Sequence, residues 1–263
     1  MGRLPIAKMI AATVVLSAVI SVVMVNINWD GQQASTAAPQ IDDLLNVMIV
    51  ISAFVFSVVV VALAYALYKF RAKPGDESDG EPIHGNTRLE VAWTLIPTII
   101  VLFGAGYSWD VLHNIEQREK DSLTVDVFSQ QYAWSFGYPG KGNKWSEGEF
   151  HVPVDRQVVF YMHAQDVIHS FWVPEWRIKK DNVPGITTAA VITPDRVGTY
   201  QLVCTELCGF GHSTMRATVV VEPPAQFRKW VRGLDQTVPA GLMQSIDEAT
   251  GGQNPTAVGA GGA

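Results

Sequence analysis

Charge is scarce in this chain: Asp, Glu, Lys and Arg make up 17% of the 263 residues, against 48% hydrophobic. Soluble domains carry about a quarter charged residues, so the deficit must be concentrated somewhere. It lies in three long apolar stretches, over about residues 9–25, 44–70 and 91–109. Positive charge in particular is short. The net charge is −6, and no basic stripe is available to track phosphates, which excludes nucleic acid as a partner. Cysteine is rarer still, with Cys204 and Cys208 the whole supply. No Cys-x-x-Cys-His motif occurs, so the chain carries no fused c-type haem.

The apolar stretches point to a membrane. A spanning helix needs about 20 apolar residues, and Leu44 to Phe70 holds no charge before Lys69, while Val91 to Trp109 holds none. Pro97 is expected to kink the later span. Lys69, Arg71, Lys73 and Arg88 crowd the connection between the two, which puts that loop in the cytoplasm and the chain after Trp109 on the opposite face. The first run follows Arg3 and Lys8 and leads to the small residues Ser35, Thr36, Ala37 and Ala38. Residues 1–38 therefore read as a removed signal peptide, with a retained first span as the alternative. Residues 39–110 then form the transmembrane hairpin.

Beyond Asp121 the pattern becomes short and alternating. Leu123–Phe128, Gln157–Met162, Ala189–Ile192, Tyr200–Val203 and Ala217–Val221 alternate, and turn signals such as Pro139-Gly140 and Pro184-Gly185 separate several of them. Such strands predict an all-β sandwich or barrel over about 115–225. A short helix is expected over 226–235, and the Gly-, Ala- and Pro-rich stretch 236–263 reads as a disordered tail.

One segment between two of these strands carries chemistry: Cys204-Thr-Glu206-Leu-Cys208-Gly209-Phe-Gly211-His212-Ser-Thr-Met215. Two thiols, an imidazole and a thioether form a soft ligand set, which favours copper over hard cations. Gly209 and Gly211 permit the tight path such a loop needs. A mononuclear blue site uses one Cys, so the second Cys lets the loop bridge two copper ions, and each then needs an imidazole. His212 supplies one. His169, in an apolar and aromatic setting, is the best candidate for the other, while His151 and His163 read as surface or packing histidines. Two alternatives stand beside copper. A Cys204–Cys208 disulfide would close a very short loop with little entropic gain, and zinc on two Cys and two His would leave Met215 unused.

The pattern Cys-x-Glu-x-Cys-Gly-x-x-His-x-x-Met, with Asp166-Val-x-His169-Ser upstream, resembles the dinuclear copper A site of cytochrome c oxidase subunit 2. The likeness runs from about residue 44 to 222 and implies a transmembrane α-helical hairpin, plus the N-terminal apolar segment, followed by an all-β cupredoxin-like domain. It implies that Cys204 and Cys208 bridge two copper ions, with His169 and His212 on one copper each. Met215 and the backbone carbonyl of Glu206 would supply weak axial contacts. The Glu206 side chain would bind a magnesium or manganese ion shared with subunit 1, a hard ligand for a hard ion, and 179–185 would face that interface. The implied partners are subunit 1, carrying haem and copper B, subunit 3, and a cytochrome c-type or other electron donor. The domain would lie on the periplasmic or extracellular face of the cell membrane, and electrons would pass to the haems of subunit 1, where oxygen is reduced to water with proton pumping.

The aromatic stretch Tyr132 to Tyr138 is similar to the family's segment where electrons arrive, through Tyr132 and Trp134. There is a departure, because Tyr132 stands where the family has Trp and the usual acidic residues give way to Pro139–Gly142. Asp166 still matches a docking carboxylate. Glu90 resembles the family's proton-path entrance, although a carboxylate in a first helical turn is also favoured by the helix dipole. Competing readings are the copper A subunit of a nitric oxide reductase and a membrane-anchored copper chaperone.

Overall fold

The computed structural model describes residues 3–242 apart from 73, 76–78, 80, 81, 83, 140, 141 and 240. Lys73 of the basic cluster, Gly140 and Lys141 of the expected turn, and the tail from 243 onward lie outside the described residues.

Three helices, α1 (Arg3–Val25), α2 (Ala38–Lys69) and α3 (Thr87–Ile115), are long and apolar enough to cross a membrane. The expected span 91–109 falls inside α3 and that over 44–70 matches α2 up to Lys69, but both helices start earlier than expected. The 32 residues of α2 reach about 48 Å at 1.5 Å per residue, beyond a hydrocarbon core of about 30 Å. Hydropathy marks only the lipid-facing part, whereas backbone hydrogen bonding carries the helix on through Asp42 and Asp43. The start of α3 is fixed by a reciprocal cap. Asn86 Oδ1 accepts the Leu89 N–H at 3.2 Å, and Glu90 Oε1 accepts the Asn86 N–H at 3.2 Å, which satisfies two otherwise orphaned donors.

The β domain is a sandwich of two five-stranded sheets, as expected from the alternating pattern. The first holds β1 (Leu123–Gln130), β2 (Ala133–Tyr138), β3 (Lys144–Glu147), β5 (Val158–Ala164) and β8 (Thr188–Ile192), in the order β3-β2-β1-β5-β8. The second holds β4 (Glu149–Pro153), β6 (His169–Val173), β7 (Ile178–Asn182), β9 (Gly198–Cys204) and β10 (Arg216–Glu222), in the order β4-β10-β9-β6-β7. Pairs β1–β5 and β4–β10 are parallel, and the other neighbours are antiparallel. Trp134, Phe136, Phe150, Phe160, Phe171 and Trp176 are fully buried between the sheets, and burial of each such side chain stabilises the fold by about 1.5–3 kcal/mol or more.

The domain also recruits residues 30–41, which lie far upstream of the expected boundary at 115. Ala34 joins the core and Ser35 is fully buried. At the other end, helix α4 (Pro224–Gly233) covers β4. Residues 236–238, expected within a disordered tail, pair with β3 instead: Gln236 O accepts the Trp145 N–H, and the Val238 N–H reaches Asn143 O.

His151 and His163 are packing residues, and neither lies at the surface. His151 stacks on Trp230 at 3.9 Å between Glu149 and Glu222. His163 is buried between Asp126 and Thr187, 3.2 Å from each.

Candidate metal centre

Sheet register brings the sulfur and imidazole groups together. Cys204 ends β9 opposite Phe171 of β6, so His169, at the start of β6, comes beside the same strand end. The segment 205–215 is the β9–β10 connection, closed at its base by the Cys204 N–H to Met215 O bond of 3.1 Å. It carries Cys208, then a short 3-10 turn over His212–Thr214, and returns Met215 to the core.

The groups meet in pairs. Cys204 Sγ and Cys208 Sγ are 3.9 Å apart, well beyond the roughly 2.05 Å of a disulfide, and both cysteines are free. His169 Nδ1 faces Cys204 at 3.9 Å, and His212 Nδ1 faces Cys208 at 3.7 Å. Glu206 O lies 3.4 Å from Cys204 Sγ, and Met215 Sδ lies 3.9 Å from Cys208 Sγ. Ligand atoms of His169, Cys204 and Cys208 all fall within 4.8 Å of one another. Each thiol thus has its own imidazole and its own weaker donor.

This donor set fits soft metal better than hard. Sulfur and imidazole dominate, and the nearby carboxylates bind elsewhere. The Glu206 side chain is exposed while its carbonyl faces Cys204. Asp166 holds His169 from behind, with Oδ1 accepting the Nε2–H at 2.8 Å and leaving Nδ1 to point at the sulfur. Such a carboxylate fixes the tautomer and the ring plane of a metal-binding imidazole. Asp166 also accepts the Val167 N–H at Oδ1 and the Gln131 N–H at Oδ2, each at 2.7 Å. Both of its oxygens are therefore engaged within the domain, while the side chain stays 31% exposed.

The electrostatics follow from those contacts. Burial pushes the Cys204 thiol up, but the bond with His169 and the adjoining backbone override it and leave it at about 6. Burial also pushes Cys208 up, and the neighbouring Cys204 charge adds to that, reaching about 11. Burial opposes charge on His169, yet Cys204 and Asp166 raise it above the ordinary imidazole range. Burial likewise acts to raise Asp166, while His169 and the two backbone N–H groups hold it below the ordinary carboxylate range.

Tyr132 covers this loop. Its hydroxyl accepts the Phe210 N–H at 3.0 Å, and Gln131 Nε2 donates to Cys208 O at 2.5 Å. A Cβ on Gly209 or Gly211 would lie 2.6 Å from Tyr132 atoms, and Gly209 takes φ +134. The two glycines therefore admit the tyrosine as well as the turn. Tyr132 is 41% exposed, whereas Trp134 is buried, with its ring 6.2 Å from those of His169 and Phe171. Sequence reasoning missed this lid, and the closely spaced glycines were the signal for it. Glu90 lies in the first turn of α3, where its carboxylate accepts the Asn86 N–H.

Comparison with known proteins covers most of the chain. The profile described as cytochrome c oxidase subunit II, transmembrane domain, matches residues 25–111. That described as cytochrome c oxidase subunit II, periplasmic domain, matches residues 144–223. Cytochrome c oxidase subunit 2 of Thermostichus vulcanus is 33% identical, over 82% of this chain and 81% of its own length. The Synechocystis sp. protein of the same description is 31% identical, over 92% and 88%. Quinol oxidase subunit 2 of Bacillus subtilis is 28% identical, over 80% of this chain and 68% of its own.

Proposed function

The chain belongs to the cytochrome c oxidase subunit 2 family, and on that premise we propose that it receives electrons for a terminal haem-copper oxidase through a dinuclear copper A centre. The supporting observation is the pairing of two free thiols 3.9 Å apart, each with its own imidazole. Family membership alone does not choose the donor, since a quinol oxidase subunit is also a relative. The sulfur and imidazole cluster supports a metal relay within this chain.

Cys204 and Cys208 would hold the two ions, with His169, His212, Met215 and the Glu206 carbonyl completing the ligand set. When bound, the copper pair supplies one-electron acceptance and release. The protein's part is to keep the ligands still. Asp166 orients His169, Gln131 ties Cys208 O, and Tyr132 presses on the glycines of the loop, so the ligands have little room to relax. Cys204, His169 and Met215 are almost fully buried, which excludes water and argues against the exchangeable ligands of a copper chaperone. Tyr132 would be the surface end of the electron path and Trp134 an inner aromatic.

In this reading the protein is multi-pass. The connection between α2 and α3, with Lys69, Arg71 and Arg88, stays in the cytoplasm, and the β domain lies on the periplasmic or extracellular face. Subunit 1 would take the electrons, and subunit 3 would complete the assembly. The Glu206 side chain would meet a magnesium or manganese ion at the subunit 1 interface, and Glu90 would stand at a proton-path entrance.

The test is turnover of the assembled oxidase carrying Cys208→Ser or Met215→Leu. Cys208→Ser is expected to abolish electron acceptance and the dinuclear site, while Met215→Leu keeps copper and shifts its potential. Full oxidase turnover in Cys208→Ser would refute the proposal.

A further inference from the structure

We propose that α1 is retained in the mature protein as a third membrane span, and that the small residues at 35–38, which resemble a signal-peptidase site, are not cut. Two observations carry this, and neither depends on the metal.

The first is a strap built into the β domain. A cut between Ala37 and Ala38 would remove Ala34 and Ser35, both fully buried. The Ala34 N–H donates to Glu175 O at 2.8 Å and the Thr36 N–H to Thr193 O at 3.0 Å. Ser35 Oγ donates to Trp176 O at 2.9 Å and accepts the Ala38 N–H that opens α2. Arg177 Nη1 and Nη2 add bonds to the carbonyls of Asp30 and Gly31. Cleavage there would strip a core segment, leave its buried partners unpaired and place a new charged amine at a buried residue. Upstream of Ala34, residues 26–33 read Asn-Ile-Asn-Trp-Asp-Gly-Gln-Gln, which offers no pair of small residues two apart for a peptidase.

The second is the face of α1 itself. Met9, Thr13, Leu16, Ser17, Ile20 and Met24 are sheltered, while the positions between them are mostly exposed. That spacing is a helical stripe along most of α1, the mark of a helix packed on neighbours. An apolar cavity of about 350 Å³ between the helices is lined by Ile10, Thr13 and Val14 of α1 and by Phe54, Val58 and Val61 of α2. Thr13, Ser17 and Ser21 fall at steps of four on the sheltered side, and Ala53 and Ser57 are buried at the same step on α2. A leader that is discarded needs no such face.

The test is intact-mass analysis, with N-terminal peptide mapping, of the subunit purified from its membrane complex. A chain in which residues 3–25 remain joined to the rest is expected. A mature N-terminus at any residue from 26 to 39 would overturn the proposal.

Discussion

Replacing Gly211 with alanine isolates what Tyr132 does for the ligand loop. Gly211 takes φ −87 and ψ 9, a conformation open to other residues, so the substitution brings little backbone strain. The clash comes from the new Cβ, which would lie 2.6 Å from Tyr132 Cγ and Cδ2 and 3.1 Å from Cδ1. Ordinary carbon contacts begin at about 3.5 Å, so the overlap approaches about 1 Å. The ring cannot simply swing away, because its hydroxyl holds the Phe210 N–H. The loop between Cys208 and His212 must then shift. Overpacking of this kind costs about 1–3 kcal/mol, which corresponds to a loss of copper affinity of about 5- to 150-fold. Competition with a chelator, on the full chain in detergent, reads this directly. Tyr132→Ala removes the obstacle, so Tyr132→Ala/Gly211→Ala is expected to bind copper as Tyr132→Ala does. Gly209→Ala is not expected to be rescued in the same way, since φ +134 at Gly209 strains any residue with a Cβ. Wild-type affinity in Gly211→Ala, or simple additivity in the double variant, would refute the reasoning.

Thiolate absorbance of the metal-free protein should rise in two separated steps. Cys204 is expected to lose its proton as the pH rises through about 6 and Cys208 only near about 11, and a single joint step near the ordinary thiol value would contradict the pairing described here. Asp166→Ala frees the His169 ring and the Gln131 turn together, and copper affinity is expected to fall about 10- to 100-fold. Asp166→Asn should recover part of that, because its amide can accept at one oxygen but presents N–H groups where the carboxylate accepted. Equal affinity in all three proteins would show that His169 needs no orienting partner.

Much of this architecture is legible in the residues because its physical cause is local. Uncharged runs mark α2 and α3, and alternation marks β1, β5, β8, β9 and β10. The Cys204–Met215 segment gathers soft donors within one loop, and His169, expected beside it, does meet Cys204 and Cys208. What escapes the sequence depends on distant partners. Strand β4 is buried on both faces because α4 lies over it, so its alternation vanishes. The strap at 30–41 is written in small and polar residues that show no period, and only contact with Trp176 and Thr193 gives it a place. Which of surface or packing holds for His151 and His163 is decided by carboxylate partners that arrive from other strands or from two positions along the same one. The hold of Asp166 on His169 and on the Gln131 N–H likewise appears only once the chain is folded.

Electron paramagnetic resonance of the copper-loaded full chain tests the central claim most directly. One unpaired electron shared equally by two copper nuclei splits into a seven-line hyperfine pattern, which is the expected spectrum. A four-line pattern from a single copper would contradict the account, as would a protein whose two sulfurs prove to be bonded to each other.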